Sequence, residues 1–199
     1  MIRSTLRNAG RGRANNNAET MAVFGMASVV MIFLPVIFLM TKAIAPAAAG
    51  QLSLPPAFSL STIVILASSF TLHRANQAKL QDRARPYRQM LIITLALSVL
   101  FLALQWIGWQ SLIGQYQLAH ITFNYVLVLG VIHGLHLLIG IGVLIWLILR
   151  CRPARNGTDL YIHFLNPKNE LTHRILSHYW HFIDFLWVLM FVIMVLKLW

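Results

Sequence analysis

Acidic side chains are rare in this sequence: its 199 residues carry five Asp+Glu against 16 Lys+Arg, a formal net charge of +11. That leaves no carboxylate-rich set for a di-iron or zinc centre. Cysteine is scarcer still. A lone Cys151 excludes a disulfide framework and a thiolate metal site. There is no glycine-rich phosphate loop, no internal repeat and no low-complexity tract. The longest stretch between apolar runs, Arg150–Ser177, is too short for a soluble catalytic domain. Charge of either sign is also thin, at 11% of residues beside 58% hydrophobic; ordinary soluble domains have about 25% and 45–50%. A soluble fold of this size cannot hide so much apolar surface behind so few charges.

What is present is a series of long apolar runs. Five are long enough to cross a hydrocarbon core, which takes about 20 helical residues: near Met21–Thr41, Pro56–Leu72, Gln89–Trp106, His120–Leu149 and His178–Leu198. The fourth is about 30 residues, so it must tilt or protrude from the bilayer. Continuous runs fit helices and not the alternation of a barrel. The predicted fold is therefore all-α, an integral membrane bundle of five transmembrane helices over residues 21–199. It is preceded by a basic, mobile segment at 1–20. The first apolar run is longer than a signal-peptide core and ends in no convincing cleavage site, so it reads as a retained helix.

The basic residues sort by loop. Arg3, Arg7, Arg11 and Arg13 precede the first span, Arg74, Lys79, Arg83, Arg85 and Arg88 follow the second, and Arg150, Arg152, Arg155, Lys168 and Arg174 follow the fourth. Only Lys42 and Lys197 lie on the other side. The positive-inside rule then puts the N-terminus inside and the C-terminus outside. The charge reads as an orientation signal that also attracts anionic headgroups, and not as a nucleic-acid footprint.

Polar groups at bilayer depth are costly and mark where function or assembly resides. On the fourth span, Gly130, His133, Gly134, His136 and Gly140 share one helical arc. Such an arc suits close packing against another helix, or ligation of haem or a metal by its imidazoles. At the start of the last span, His178, His181 and Asp184 recur at i, i+3, flanked by Tyr179, Trp180 and Trp187. The carboxylate could orient an imidazole, serve as a relay or metal-site group, or lock the helix to a partner. Trp180 fits an interfacial aromatic belt. Thr94, Ser98 and Gln105 on the third span, and Ser61 and Ser68 on the second, read as interhelical glue. A cytochrome b would pair His133 or His136 with His181, but their depths differ by on the order of 10 Å.

At these two seams the chain resembles subunit III of haem-copper terminal oxidases, the cytochrome c and quinol oxidases. Residues 130–140 are similar to its Gly-x-His-Gly-x-His signature, and Tyr179–Trp187 to its Tyr-Trp-His-Phe-x-Asp-x-x-Trp signature. Ser68, Ser69, Thr71 and Ala75 resemble the end of an earlier helix, and Gln105–Trp109 a Gln-x-x-Glu segment. Five spans correspond to the shorter bacterial form. Three acids of the family pattern are absent: Val29, Gly108 and Arg174 stand in their places. The resemblance implies a non-catalytic subunit of a bacterial cytoplasmic (inner) membrane oxidase. It implies no haem or copper in this chain, those belonging to partner subunits I and II. It also implies bound phospholipid, and leaves open membership of a larger respiratory supercomplex. His133, Gly134, His136, Gly140, Tyr179, Trp180, His181, Asp184, Trp187 and Gln105 would maintain packing, with Arg74 near lipid headgroups. The rival readings are a small haem b electron-transfer protein and an accessory or assembly protein of another respiratory complex, such as nitric oxide reductase.

Overall fold

A computed structural model describes residues 2–43, 54–115, 121–151 and 156–198. It contains six helices among the described residues: α1 (Ile2–Ala43), α2 (Pro56–Leu80), α3 (Ala84–Gln115), α4 (Ile121–Arg150), α5 (Gly157–Leu165) and α6 (Pro167–Leu198). All but α5 contain a stretch long and apolar enough to cross a membrane: Glu19–Leu39, Pro56–Leu80, Ala84–Gly114, Asn124–Arg150 and Pro167–Leu196. The chain is a multi-pass, all-α membrane bundle.

Local chemistry sets the helix ends. Proline occupies the first position of α2 and of α6, where its missing N–H has no intrahelical partner to lose. Asn166 caps α6, its Oδ1 accepting from the Lys168 N–H at 3.1 Å. The Asn156 N–H donates to Asp159 Oδ2 at 3.3 Å at the start of α5. Between α2 and α3 the chain reverses in a tight turn with Asp82 at φ 52°, a left-handed conformation that aspartate tolerates. Gly157 passes over this turn so closely that a Cβ would lie 2.3 Å from the Asp82 carbonyl oxygen. Only glycine fits there, which pins α5 to the α2–α3 turn.

The tight turn makes α2 and α3 the most extensively packed pair, and α6 lies against α1, α2 and α4. Phe58, Ile65, Leu72, Leu91, Phe101, Leu129, Leu144, Trp180, Trp187 and Met190 form the centre of the core. α1 is the least buried of the five long helices, exposing Met21, Phe24, Met31 and Phe38.

One expectation about boundaries changes. The loop between the fourth and fifth spans is largely helical, because α5 fills it and α6 begins at Pro167 instead of His178. As a result the membrane-length helices carry Glu170, in the first turn of α6, and Glu19 of α1 as well as Asp184. His120, placed at the edge of the fourth span, lies outside the described residues.

Candidate functional site

The polar residues of the two signatures form ties between helices. α2 and α6 are joined rung by rung. The Trp180 indole Nε1–H donates to Ser68 Oγ (3.3 Å), His181 Nδ1 meets Ser69 Oγ (2.5 Å), and the Trp187 Nε1–H donates to Thr62 Oγ1 (3.0 Å). Beside them, Gln105 Nε2 donates to Ser61 Oγ at 2.8 Å and the Thr71 and Thr94 hydroxyls meet at 2.8 Å, joining α2 to α3. The expected hydroxyl glue is thus present at Ser61, Ser68 and Thr94. Ser98 instead donates to the Thr94 carbonyl of its own helix.

α4 and α6 meet at Gly140. A Cβ there would come within 3.3 Å of both the Tyr179 and Trp180 rings, so the glycine makes room for them. Tyr179 Oη donates to the His136 carbonyl at 3.0 Å, and the His136 Nδ1–H donates to the Ile132 carbonyl at 2.7 Å. The His136 ring stands edge-on to Phe33 of α1, with centroids 6.2 Å apart. His133 is buried between Phe101 and Trp187, at 6.1 and 5.4 Å between ring centroids, and its Nε2 has no hydrogen-bond partner among the described residues. His133 and His181 therefore have separate neighbours.

Trp180 does not sit in an interfacial belt. It is 1% exposed, because Gly140 and Ser68 provide a slot for its ring and a partner for its N–H. The His178–His181–Asp184 stripe also divides. His178 is exposed and its Nδ1–H donates to the Arg174 carbonyl of its own helix. His181 goes to Ser69, and Asp184 is buried with neither carboxyl oxygen hydrogen-bonded among the described residues. Asp184 thus does not hold the imidazole one turn before it, since the Ser69 hydroxyl takes that place.

The missing acids have physical replacements. Val29 is buried on the packed face of α1. At Gly108, a Cβ would lie 3.0 Å from the Phe58 ring, so an aromatic ring fills the space of a side chain. Phe58 also stands edge-on to Trp109 at 5.5 Å. Arg174 forms an ion pair with Glu19, joining α6 to α1. Arg74 is exposed, its guanidinium 5.6 Å from the Phe70 ring centroid.

A polar cluster that sequence reasoning missed lies at the α2–α3 turn end. Lys79 Nζ donates to both Glu170 carboxylate oxygens (2.9 and 3.0 Å), lies 3.4 Å from His173 Nδ1, and stands 5.1 Å above the Phe164 ring. Lys79 is therefore not a free loop charge: its side chain is 8% exposed. The Tyr87 and His173 rings close the other side, at 5.7 Å between centroids. Just beyond α4, Cys151 Sγ lies 3.5 Å from His163 Nε2. Burial pushes the thiol up to about 11, an effect the neighbouring Tyr87 side chain slightly offsets. His163 is held below the usual imidazole value by burial and then by Arg150. Both groups are thus neutral at pH 7, a thiol beside an imidazole and not a thiolate–imidazolium pair. Nothing in the sequence near Lys79 announces this cluster; the one available signal is Glu170 following Pro167 in a first helical turn.

Residues 42–199 match the family model of cytochrome c oxidase subunit III. The chain is also similar to cytochrome c oxidase subunit 3 of Thermostichus vulcanus, 29% identical over 136 residues, covering 68% of this chain and 63% of that protein. For the subunit 3 of Papio hamadryas the identity is 27% over 140 residues, covering 67% and 47%. For Yarrowia lipolytica it is 28% over 138 residues, covering 67% and 46%. The matched part of the chain thus spans between 46% and 63% of these relatives' length. The match runs from the end of α1 through α6 and takes in both seams, and the chain belongs to the cytochrome c oxidase subunit III family.

Proposed function

We propose that the chain is an accessory subunit of a haem-copper respiratory oxidase in a bacterial cytoplasmic membrane, oriented with its N-terminus inside and its C-terminus outside. It packs beside the haem-and-copper catalytic subunit I and its companion subunit II, and contributes stability and lipid, not a redox centre. The observation that carries this reading is the use made of the family residues. Trp180, His181, Trp187, Gln105, Tyr179 and Gly140 are all engaged in joining helices to one another, as a structural subunit requires.

Lipid has a place to sit. An apolar trough of about 370 Å³ runs between α1, α4 and α6, lined by Ala22, Met26, Ile139, Val143 and Ile175. It shares Ala22, Met26 and Ile175 with a second cavity bordered by His178 and by the Glu19–Arg174 ion pair. An acyl chain in the trough would bring its headgroup to those side chains, with Arg74 a further contact on another face.

Purification in gentle detergent with identification of the co-isolating chains tests the reading. Co-isolation with a twelve-helix, haem- and copper-bearing subunit is expected, and its consistent absence refutes the proposal. A Soret band in the separately purified chain, abolished by changing His133 or His181, would replace it with the electron-transfer reading.

A further inference from the structure

The arc of small and imidazole residues on α4 is only partly used within this chain. Gly140 is covered by Tyr179 and Trp180, and Gly130 by Trp109, whose ring would lie 2.1 Å from a Cβ at that position. Gly134, one turn from Gly130, is different: a Cβ there would meet nothing within 4 Å among the described residues. It opens onto a groove of about 300 Å³ between α3 and α4, where Trp106 and Val131 are exposed. His133 lines the same groove. It is 2% exposed, and its Nε2 has no hydrogen-bond partner among the described residues.

The geometry points to this groove as the seat of a transmembrane helix from another subunit, which crosses α4 at Gly134 and offers a hydroxyl or amide side chain to His133 Nε2. The inference rests on the proposed role as an oxidase subunit and names the surface through which that role is exercised. Two observations select a helix over lipid. An acyl chain would leave Nε2 unpaired at a depth with no water, where an unmade hydrogen bond is expensive. A glycine that opens onto a groove on a membrane helix lets a second backbone approach closely, and polar side chains then bond across the contact. A serine or threonine hydroxyl would serve whichever imidazole tautomer is present, since it both donates and accepts.

The α4 helix supplies its own control. Gly142 also has nothing within 4 Å of its virtual Cβ, but lies outside the groove. Gly134→Leu and Gly142→Leu should therefore insert and fold alike, as judged by thermal unfolding of the purified chains. In the intact complex, Gly134→Leu should reduce the co-isolated haem-bearing subunit about tenfold, equivalent to about 1.4 kcal/mol of clash, while Gly142→Leu leaves it unchanged. Equal retention by both variants, or equal loss, overturns the inference and leaves the accessory-subunit role standing. Failure of the unmodified chain to bring down any haem-copper subunit sinks both. A photoreactive amino acid at Val131 in the complex gives an independent reading. Capture of a membrane-spanning segment of the haem-bearing subunit supports the docking surface. A phospholipid adduct, a quinone adduct or no adduct overturns it.

Discussion

The Lys79–Glu170 pair makes an asymmetric prediction. Lys79 is 8% exposed at its side chain and Glu170 43%, so the two partners face different fates when the other is removed. In Lys79→Met the hydrocarbon stem is conserved and the half-exposed Glu170 regains water. The loss is a pair of charge-assisted hydrogen bonds, discounted for that solvation, plus a cation–π contact with Phe164, together about 1–2 kcal/mol. In Glu170→Gln the ammonium stays buried without its counterion, which costs more, about 2–4 kcal/mol. At about 2–4 °C per kcal/mol for a chain of this size, Lys79→Met lowers the melting temperature by about 2–8 °C and Glu170→Gln by about 4–16 °C. The double variant should be no worse than Glu170→Gln alone, because the stranded charge is gone. Thermal unfolding in detergent, with exposed Lys168→Met as a control for net charge, measures all four. If Lys79→Met is the more damaging single change, or if the two losses add, the lock is not a buried-charge pair.

Other consequences follow from the seams. Gly140→Ala should destabilise the protein by about 1–3 kcal/mol through overpacking, because its Cβ meets the Tyr179 and Trp180 rings at 3.3 Å; unchanged unfolding would mean that the rings move aside freely. Trp187→Phe, which removes the bond to Thr62, should cost about 0.6 kcal/mol from that bond in addition to lost ring contacts, and Thr62→Val should recover no stability on top of it. For Asp184→Asn, weaker association or turnover stability is expected with the haem spectrum of the complex unaltered; loss of a haem signal would make the stripe a cofactor site. The Cys151 thiol, pushed from 9.0 up to about 11, should carry about 100-fold less thiolate at pH 8 than an unperturbed cysteine. Its maleimide labelling should therefore be at least that much slower than in the detergent-denatured chain, and should keep rising with pH towards 11. A plateau near pH 9 would refute the shift.

The elements legible in the sequence are those with a local signature. Apolar runs of membrane length announce five helices, and small or hydroxyl residues at helical spacing announce the faces on which Ser61, Ser68 and Gly140 now sit. What local pattern does not carry is which residue lies opposite. Trp180 reads as an interfacial residue until Gly140 and Ser68 are placed across from it. Lys79 reads as one more loop cation, because the acid that buries it is 91 residues away. The histidine–aspartate stripe is regular along α6 but meets different neighbours residue by residue, so its members take different partners.

The ladder between α2 and α6 also bears on how the chain is made. Its rungs join residues 112 and 125 apart, whereas the ties between α2 and α3 span 44 and 23. At a ribosomal pace of about 5–20 residues per second, roughly 6–22 s separate the synthesis of Ser68 from that of Trp180. A nascent α2 must therefore remain in the bilayer with its seam unfilled. Ser68 and Thr62 are suited to that interval, because each hydroxyl already donates to a carbonyl of its own helix, Ile65 and Phe58, at 2.8 Å. Their protons are satisfied from the moment the helix forms, and only oxygen lone pairs await the indole N–H groups. The last helix can then close the bundle without breaking a bond that the earlier ones have made.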